Sequence, residues 1–374
     1  MGSPLDPQVV TGVQVYDPKL AAHGLNLFTN SRPCSAQLID MDGSVLHSWS
    51  YEPCRNWANA ILLPNGDLVV AGRVPNRLNK GMRDDSRFLL RLAWDGSVRW
   101  KRSIAAHHDL DRNPSGQLHT LTYAPSMRRP EIAGDAPAWN DSMTLLADDG
   151  TKIEEATIWE FYESSPEVVT LGPVRSKRTS DGEEVDLFHL NSIEWMRYPE
   201  LAEANEIYSL ENILVCLRNQ DAVAILDWPA RKIVWAWGHG QLSGPHDATL
   251  LPSGNILIFD NGLGRNWSRV VEVDPRRDRI VWEYRAAHPE DFYTPTRGAS
   301  QRLSNGNTLI TESDDGVAFE VTASGETVWR FQNPTLSKDR EPSVIVRMRR
   351  LEGLSFEELS RALASNDDSR IRFD

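Results

Sequence analysis

The chain has 374 residues, of which 25% are charged, and a formal net charge of −13 at pH 7. That balance argues against nonspecific nucleic-acid binding, which needs clustered Lys and Arg to neutralise phosphates, and the basic run Arg175-Ser-Lys-Arg178 reads as a solvated loop. No stretch approaches the roughly 18 consecutive apolar residues of a membrane span, and the opening MGSPLDPQVV carries no apolar signal region.

The expectation is therefore a protein without a membrane or nucleic-acid partner. Cytoplasmic placement and loss of a leader both stay open, as does the oligomeric state. Cys34, Cys54 and Cys216 allow one disulfide at most, and no pair of them has metal-ligand spacing.

In chain order, the stretch from GVQVYD to VLHSW predicts most of a first β-unit. NWANAILLPNGD, HHDLDRNPSGQ, HLNSIEW, HDATLLPSGN and RGASQRLSNGN then each read as a first strand, most of them running into a tight turn. The clearest unit is HDATLL, ILIFDN, RVVEVD and RIVWEY, four short strands separated by turn residues, which is one propeller blade.

Closing strands recur as VLHSW, SVRW, TIW, KIVWAW, RIVWEY and TVWRF, placing Trp49, Trp100, Trp159, Trp235, Trp282 and Trp329 in one register. These repeats predict an all-β, six-bladed β-propeller over residues 1–351, followed by a tail, 352–374, with a short helix. Length alone would suggest two domains, but a radial repeat absorbs it into one. VIVRMRRL is a candidate strand for closing the ring, Ser355-Phe-Glu-Glu358 reads as a capping box, and the paired Asp residues near the C-terminus predict fraying. The insertions 124–138 and 161–186 read as exposed loops and candidate lids.

Equivalent positions of a radial repeat converge on the axis. His108, His189 and His246 each open an innermost strand, and His108 and His246 both lie eight residues before a turn glycine, Gly116 or Gly254. Arg297 opens the next blade. Asn191, Arg218, Asn219, Asp260, Asn261 and Arg265 fall close by in sequence, and Trp57, which occupies the corresponding place in its own unit, is a candidate lining residue.

Two chemistries fit. An Arg-rich, His-lined pocket suits a tetrahedral oxyanion. Three imidazoles with a free position suit Zn²⁺ or another borderline metal. His23, His47, His119 and His288 read as structural, with His107 and His239 as candidates for supporting the cluster. Asp109 and Asp247 read either as turn caps or as groups that orient an imidazole.

HHDLDRNPSG, GPHDATLLPSGNILIFDNGLGR, the VWEY strand and DFYTP resemble the arylsulfotransferase family over roughly residues 12–334. The resemblance implies a six-bladed propeller that moves a sulfuryl group between phenols by ping-pong chemistry through a sulfohistidine. It places His246 and Arg265 in sulfate-contacting roles, with His108 or His189 adding a further contact. Arg297, Arg218, Asn191, Trp57, Tyr293 and Asn261 complete the candidate substrate-binding set, for a small aromatic or anionic substrate with no cofactor.

The family's sulfuryl-accepting histidine aligns with GVAFEV, Gly316 to Val321, where this chain has no histidine. Either His246 takes over as nucleophile or the transfer activity is absent. A divalent-metal lyase or hydrolase using His108, His189 and His246, and a non-catalytic ligand-binding propeller, are the alternative expectations.

Overall fold

The computed structural model describes residues 10–75, 86–172, 174–179, 182–337 and 341–365. Its strands form six small sheets, one per blade, antiparallel except where Gly182–Val185 meets Pro137–Leu146 in parallel. The middle strands, such as Asn212–Leu217, Ile256–Asp260 and Val317–Val321, are buried along their whole length. A blade packed between two others is covered on both faces, so these segments read as continuous apolar runs rather than as alternating strands. The outermost strand Arg279–Tyr284 keeps the exposed-then-covered alternation of an edge.

The innermost strands of blades 2 to 6 are Asn56–Leu62, Ala106–Arg112, Leu190–Trp195, His246–Leu250 and Ala299–Arg302. Blade 1 takes its innermost strand from the other end of the chain, because Ile345–Glu352 pairs with Gly24–Asn30. Gly12–Tyr16 pairs instead with Thr327–Gln332 and lies outermost in blade 6. GVQVY thus belongs to the last blade rather than the first, and both chain ends close the ring.

Trp159 also departs from the predicted register. It lies in the helix Ile158–Ser164, which follows the closing strand Lys152–Thr157 and is capped by Thr157 and Glu160. The Glu160 carboxylate reaches back to the Thr157 N–H and so ends the strand as a capping box.

Neither insertion is simply an exposed loop. Residues 124–138 hold the end of the long strand Leu118–Arg128 and the turn Pro130–Ala133, and 161–186 holds the hairpin Ser176–Thr179 with Gly182–Val185. The capping box at Ser355 forms as expected and opens the helix Phe356–Ser365, which buries Leu359 and Ala362 against blades 1 and 2. The paired Asp residues lie outside the described residues. Cys34 and Cys54 form a disulfide, and Cys216 is a buried free thiol.

The closing strand also carries the charges that lock the axis. Arg347 reaches Asp109 of blade 3 at 2.9 and 3.1 Å and Asp247 of blade 5 at 2.8 Å, while Arg349 binds Asp247 at 2.9 Å. Asp109 further accepts from Asn59 of blade 2 and from the Ile193 N–H of blade 4. Asp109 and Asp247 therefore neither cap turns nor orient imidazoles. They tie blades 3 and 5 to the C-terminal strand in blade 1.

Burial alone would raise the Asp247 carboxyl, but Arg347 and Arg349 outweigh it and hold its pKa below 3.8. A depressed folded-state value means that this contribution is complete above about pH 4 and is lost as pH falls through the depressed pKa. Asp247→Asn should be less stable at neutral pH and should lose less stability on acidification than the parent, as read by urea unfolding at stepped pH. Identical acid slopes for the two proteins would dismiss Asp247 as a contributor.

Candidate functional site

The chain enters the innermost strands of blades 3 to 6 through a left-handed residue: His108 (φ 51°), His189 (φ 53°), Asp247 (φ 49°) and Arg297 (φ 59°). None is glycine, so each costs backbone strain of the kind that collects at functional sites. The ladders slip at the same place. In blade 5 the last regular pair before the slip joins His246 to Phe259, whereas in blade 3 it joins His107 to Leu121. His107, not His108, thus shares the ladder position of His246, because the blade 3 irregularity contains one more residue.

Even so, the imidazoles gather at one end of the axis. The His108 and His189 rings are 5.0 Å apart between centroids. His108 feels the charge of His107, His189 and His246, and His246 that of Arg218 and His189.

Hydrogen bonds fix which nitrogen each ring presents. His107 Nε2 lies 3.1 Å from the Thr122 carbonyl, which can only accept, so this nitrogen carries the proton. Neutral His107 then has a lone pair on Nδ1, and His108 Nδ1, 2.6 Å away, must donate to it. Nε2 of His108 is left with its lone pair. Burial, reinforced by the neighbouring imidazoles and Arg87, holds the pKa of His108 well below the ordinary histidine value.

His246 reaches the same state by a separate route. The Asn261 amide donates through Nδ2 to the carbonyls of Thr294 and Arg297, both at 2.7 Å, which turns its Oδ1 toward the ring. His246 Nδ1 donates to that oxygen at 2.6 Å and lies 3.1 Å from the Gly244 carbonyl. Nε2 therefore carries the lone pair. Burial first, then the Arg218 charge, brings its pKa down to about 3. Asn261 thus orients His246 rather than a substrate.

His189 differs in its support. Asp186 Oδ2 accepts from its Nδ1 at 2.5 Å, and Asp186 is itself buried. The short turn Arg218–Gln220 grips this segment: Asn219 Nδ2 donates to the Asp186 carbonyl, Gln220 Nε2 to that of Leu187, and the Arg218 N–H to that of His189. Sequence reading missed Asp186. Its signal is a carboxylate three residues before the histidine in DLFH.

Among the described guanidinium groups, Arg87 lies close enough to act on His107 and His108, and Arg218 lies close enough to act on His246 and makes no carboxylate salt bridge. The Arg218 side chain donates to Asn219 Oδ1, and burial lowers its pKa. Arg265 is drawn away instead, bonded to Asp260 at 2.9 Å and stacked over Trp267 at 4.4 Å. Arg297 is paired with Asp314 at 3.1 Å.

Asn191 donates to the Pro245 carbonyl, which leaves its buried Oδ1 unpartnered. Tyr293 is half-buried, and its backbone N–H is bonded to Glu312. Trp57 does not line the channel: it is 1% exposed and packs in the core between blades 1 and 2, against Phe88 among others. His239 is exposed and has no hydrogen bond to the cluster.

A cavity of about 870 Å³ opens toward the turn ends of the innermost strands. It is bounded by the Asp109, Arg347 and Asp247 layer, and its lining contains none of the three histidines. Among the described residues, no group of three or more His, Cys, Asp and Glu side chains is placed to hold a metal ion. His108, His189 and His246 as found therefore do not fit a shared metal. No described helix is long and apolar enough to cross a membrane.

Ring, closure and histidine cluster together define a six-bladed propeller with an axial imidazole and guanidinium site. Residues 153–334, just under half of the chain, match the model of the arylsulfotransferase (ASST) family. Among solved structures, a protein of unknown function from Bacteroides caccae is similar at a TM-score of 0.51 and 14% identity, over 87% of this chain and 98% of that one. Virginiamycin B lyase from Staphylococcus aureus, with quinupristin, gives 0.46 and 11% over 86% and 89%, and the Dos1 propeller 0.42 and 9% over 88% and 78%. At such identity the first likeness shows the fold alone. No curated protein matches the chain.

Proposed function

We propose that this chain is an arylsulfotransferase-like enzyme that transfers a sulfuryl group from an aryl sulfate to a phenol, with His246 as the nucleophile. The observation that carries the reading is the Asn261 amide. Its orientation fixes the His246 tautomer, and the depressed pKa keeps the presented Nε2 unprotonated at neutral pH.

In the first half-reaction His246 Nε2 forms a bond to sulfur while the bond from sulfur to the aryl oxygen breaks, and the phenolate leaves with the electron pair. The imidazole becomes cationic, and its Nδ1–H bond to Asn261 Oδ1 strengthens as that charge develops. Arg218 balances the sulfuryl oxygens, as guanidinium does for transferring phosphoryl groups. The pair of His189 and Asp186 supplies the proton to the leaving phenolate. It takes one back from the acceptor phenol when that oxygen attacks the sulfohistidine sulfur.

Strand Val317–Val321, where the family resemblance implies the accepting histidine, is wholly buried and has none, and His246 is the replacement proposed here. Turnover of a nitrophenyl sulfate that depends on an added phenolic acceptor is the expected result. Absence of turnover with every aryl sulfate tried would favour a ligand-binding propeller instead.

Arg218→Ala should cost about 2 to 4 kcal/mol of transition-state stabilisation, the scale of a removed oxyanion donor. Arg265→Ala should cost less, because Asp260 already holds its guanidinium. Comparing kcat/KM of the two variants checks the assignment, and a larger loss in the Arg265 variant would reverse it.

A further inference from the structure

We propose that the cavity at the turn ends of the innermost strands binds a small zwitterion with an apolar body, an amino acid carrying an apolar side chain, with its ammonium on Glu194 and its carboxylate on Arg349. The place is separate from the histidine cluster, because the layer of Asp109, Arg347 and Asp247 bounds it on that side. Its volume of about 870 Å³ is in the range of small-molecule pockets.

Next along the strands from that layer, each blade contributes a partly exposed residue to the lining: Ile61, Asp111, Glu194, Thr249, Gln301 and Arg349. In a ring of six blades the fourth faces the first, so Glu194 and Arg349 come from opposite walls, near enough for the Arg349 charge to act on the Glu194 carboxyl. Leu63, Leu251, Leu303 and Leu351 line the strand ends nearer the mouth and supply an apolar collar.

Glu194 is the odd charge of this lining. Arg347 and Arg349 match Asp109 and Asp247, and Arg197 matches Asp111 at 3.1 Å. Arg302 and Arg350 pair with Glu272 and Glu320 outside the lining, and Arg112 and Glu352 are of opposite sign at the mouth. Glu194 Oε1 accepts the Leu250 N–H at 2.9 Å and lies 4.0 Å from Arg197, while Oε2 makes no hydrogen bond among the described residues. Burial outweighs the pull of Arg197, Leu250 and Arg349 and, with the Asp111 charge, pushes this carboxyl up to about 7. An ammonium supplies the missing counter-charge. On the facing wall Arg349 donates to the Ser300 carbonyl and to Asp247, and its remaining N–H groups are open to a carboxylate. A ligand with a single charge answers only one of the two walls.

Titration of the full chain with leucine, methionine and phenylalanine in a calorimeter, without donor or acceptor, tests the site independently of sulfuryl transfer. One equivalent should bind. Isocaproate, which lacks the ammonium, and isoamylamine, which lacks the carboxylate, should each bind about tenfold or more weakly than leucine, because a charge-assisted hydrogen bond is lost. Glu194→Gln and Arg349→Gln should weaken leucine binding by a similar factor. The ammonium favours ionised Glu194, so binding should release protons at about pH 6, where this carboxyl is mostly protonated, and almost none at about pH 8. Heats measured in two buffers of different ionisation enthalpy read that release.

If either variant fails to fold, the two analogues and the proton release of the parent decide. Absence of binding of all three amino acids at millimolar concentration, a smaller loss than that factor for either analogue, leucine binding unchanged in both variants, or binding without proton release on the acid side overturns the proposal. None of these outcomes bears on whether His246 accepts a sulfuryl group.

Discussion

Replacing His246 with alanine is expected to lower turnover of an aryl sulfate by roughly a thousandfold or more, because a covalent route loses its attacking atom and only binding and electrostatics remain. The fold should survive, since the ring packs against Asn261 and the Gly244 carbonyl rather than bridging blades. Asn261→Ala should reproduce part of the loss, for a freed imidazole can place its proton on Nε2. The pH dependence carries a sign as well. With a folded-state pKa of about 3, the His246 lone pair is available throughout the range above it and is lost only as pH falls through that value. The acid limb due to the nucleophile should therefore lie far below the ordinary histidine range. Steady-state kinetics of the purified variants read all three effects, and undiminished turnover in the alanine variant dismisses His246 as nucleophile.

Arg347→Ala should destabilise the propeller by about 3 to 5 kcal/mol, the cost of leaving the buried Asp109 carboxylate without its cation. Asp109 and Asp247 are 2% and 3% exposed; Asp109 loses its cation in the variant while Asp247 keeps Arg349, so the loss falls first on the tie between blades 1 and 3. Neutralising Asp109 in an Arg347→Met background should recover much of the stability, because the penalty lies in the unpaired charge rather than in the missing bond. Urea unfolding of the single and combined variants measures both. A small change in the single variant, below about 1 kcal/mol, would place the lock elsewhere, at the level of an exposed pair.

Much of the architecture was legible in the chain because radial repetition writes the same strand and turn pattern several times. The turn glycines 66, 116, 254 and 306 all follow an innermost strand, as HDATLLPSGN and its counterparts indicated. The ends were harder to read. GVQVY lies next to blade 1 in sequence but pairs with Thr327–Gln332, and no local pattern records a hydrogen bond to a strand more than 300 residues away. Trp159 matched the tryptophan spacing, yet Glu160 completes a capping box and turns the chain into a helix one residue earlier.

At the site, counting back from the turn glycine brought His108 and His246 to the same end of the axis but could not see that the blade 3 slip holds an extra residue. That residue puts His107 at the ladder position of His246 and turns it into the support for His108. Trp57 lies nine residues before Gly66, one more than that count, and packs in the core between blades 1 and 2. Arg265 and Arg218 could not be ranked from sequence, since the difference between them is Asp260, a partner brought in by the fold.

The account stands most directly on where the sulfuryl group goes. The purified chain, mixed with an aryl sulfate in the absence of acceptor and digested, should yield one peptide heavier by a single SO₃ group, with fragmentation locating it on His246 and the adduct disappearing when a phenol is added. A sulfuryl group on another residue, or release of phenol with no covalent adduct at any time, would contradict it.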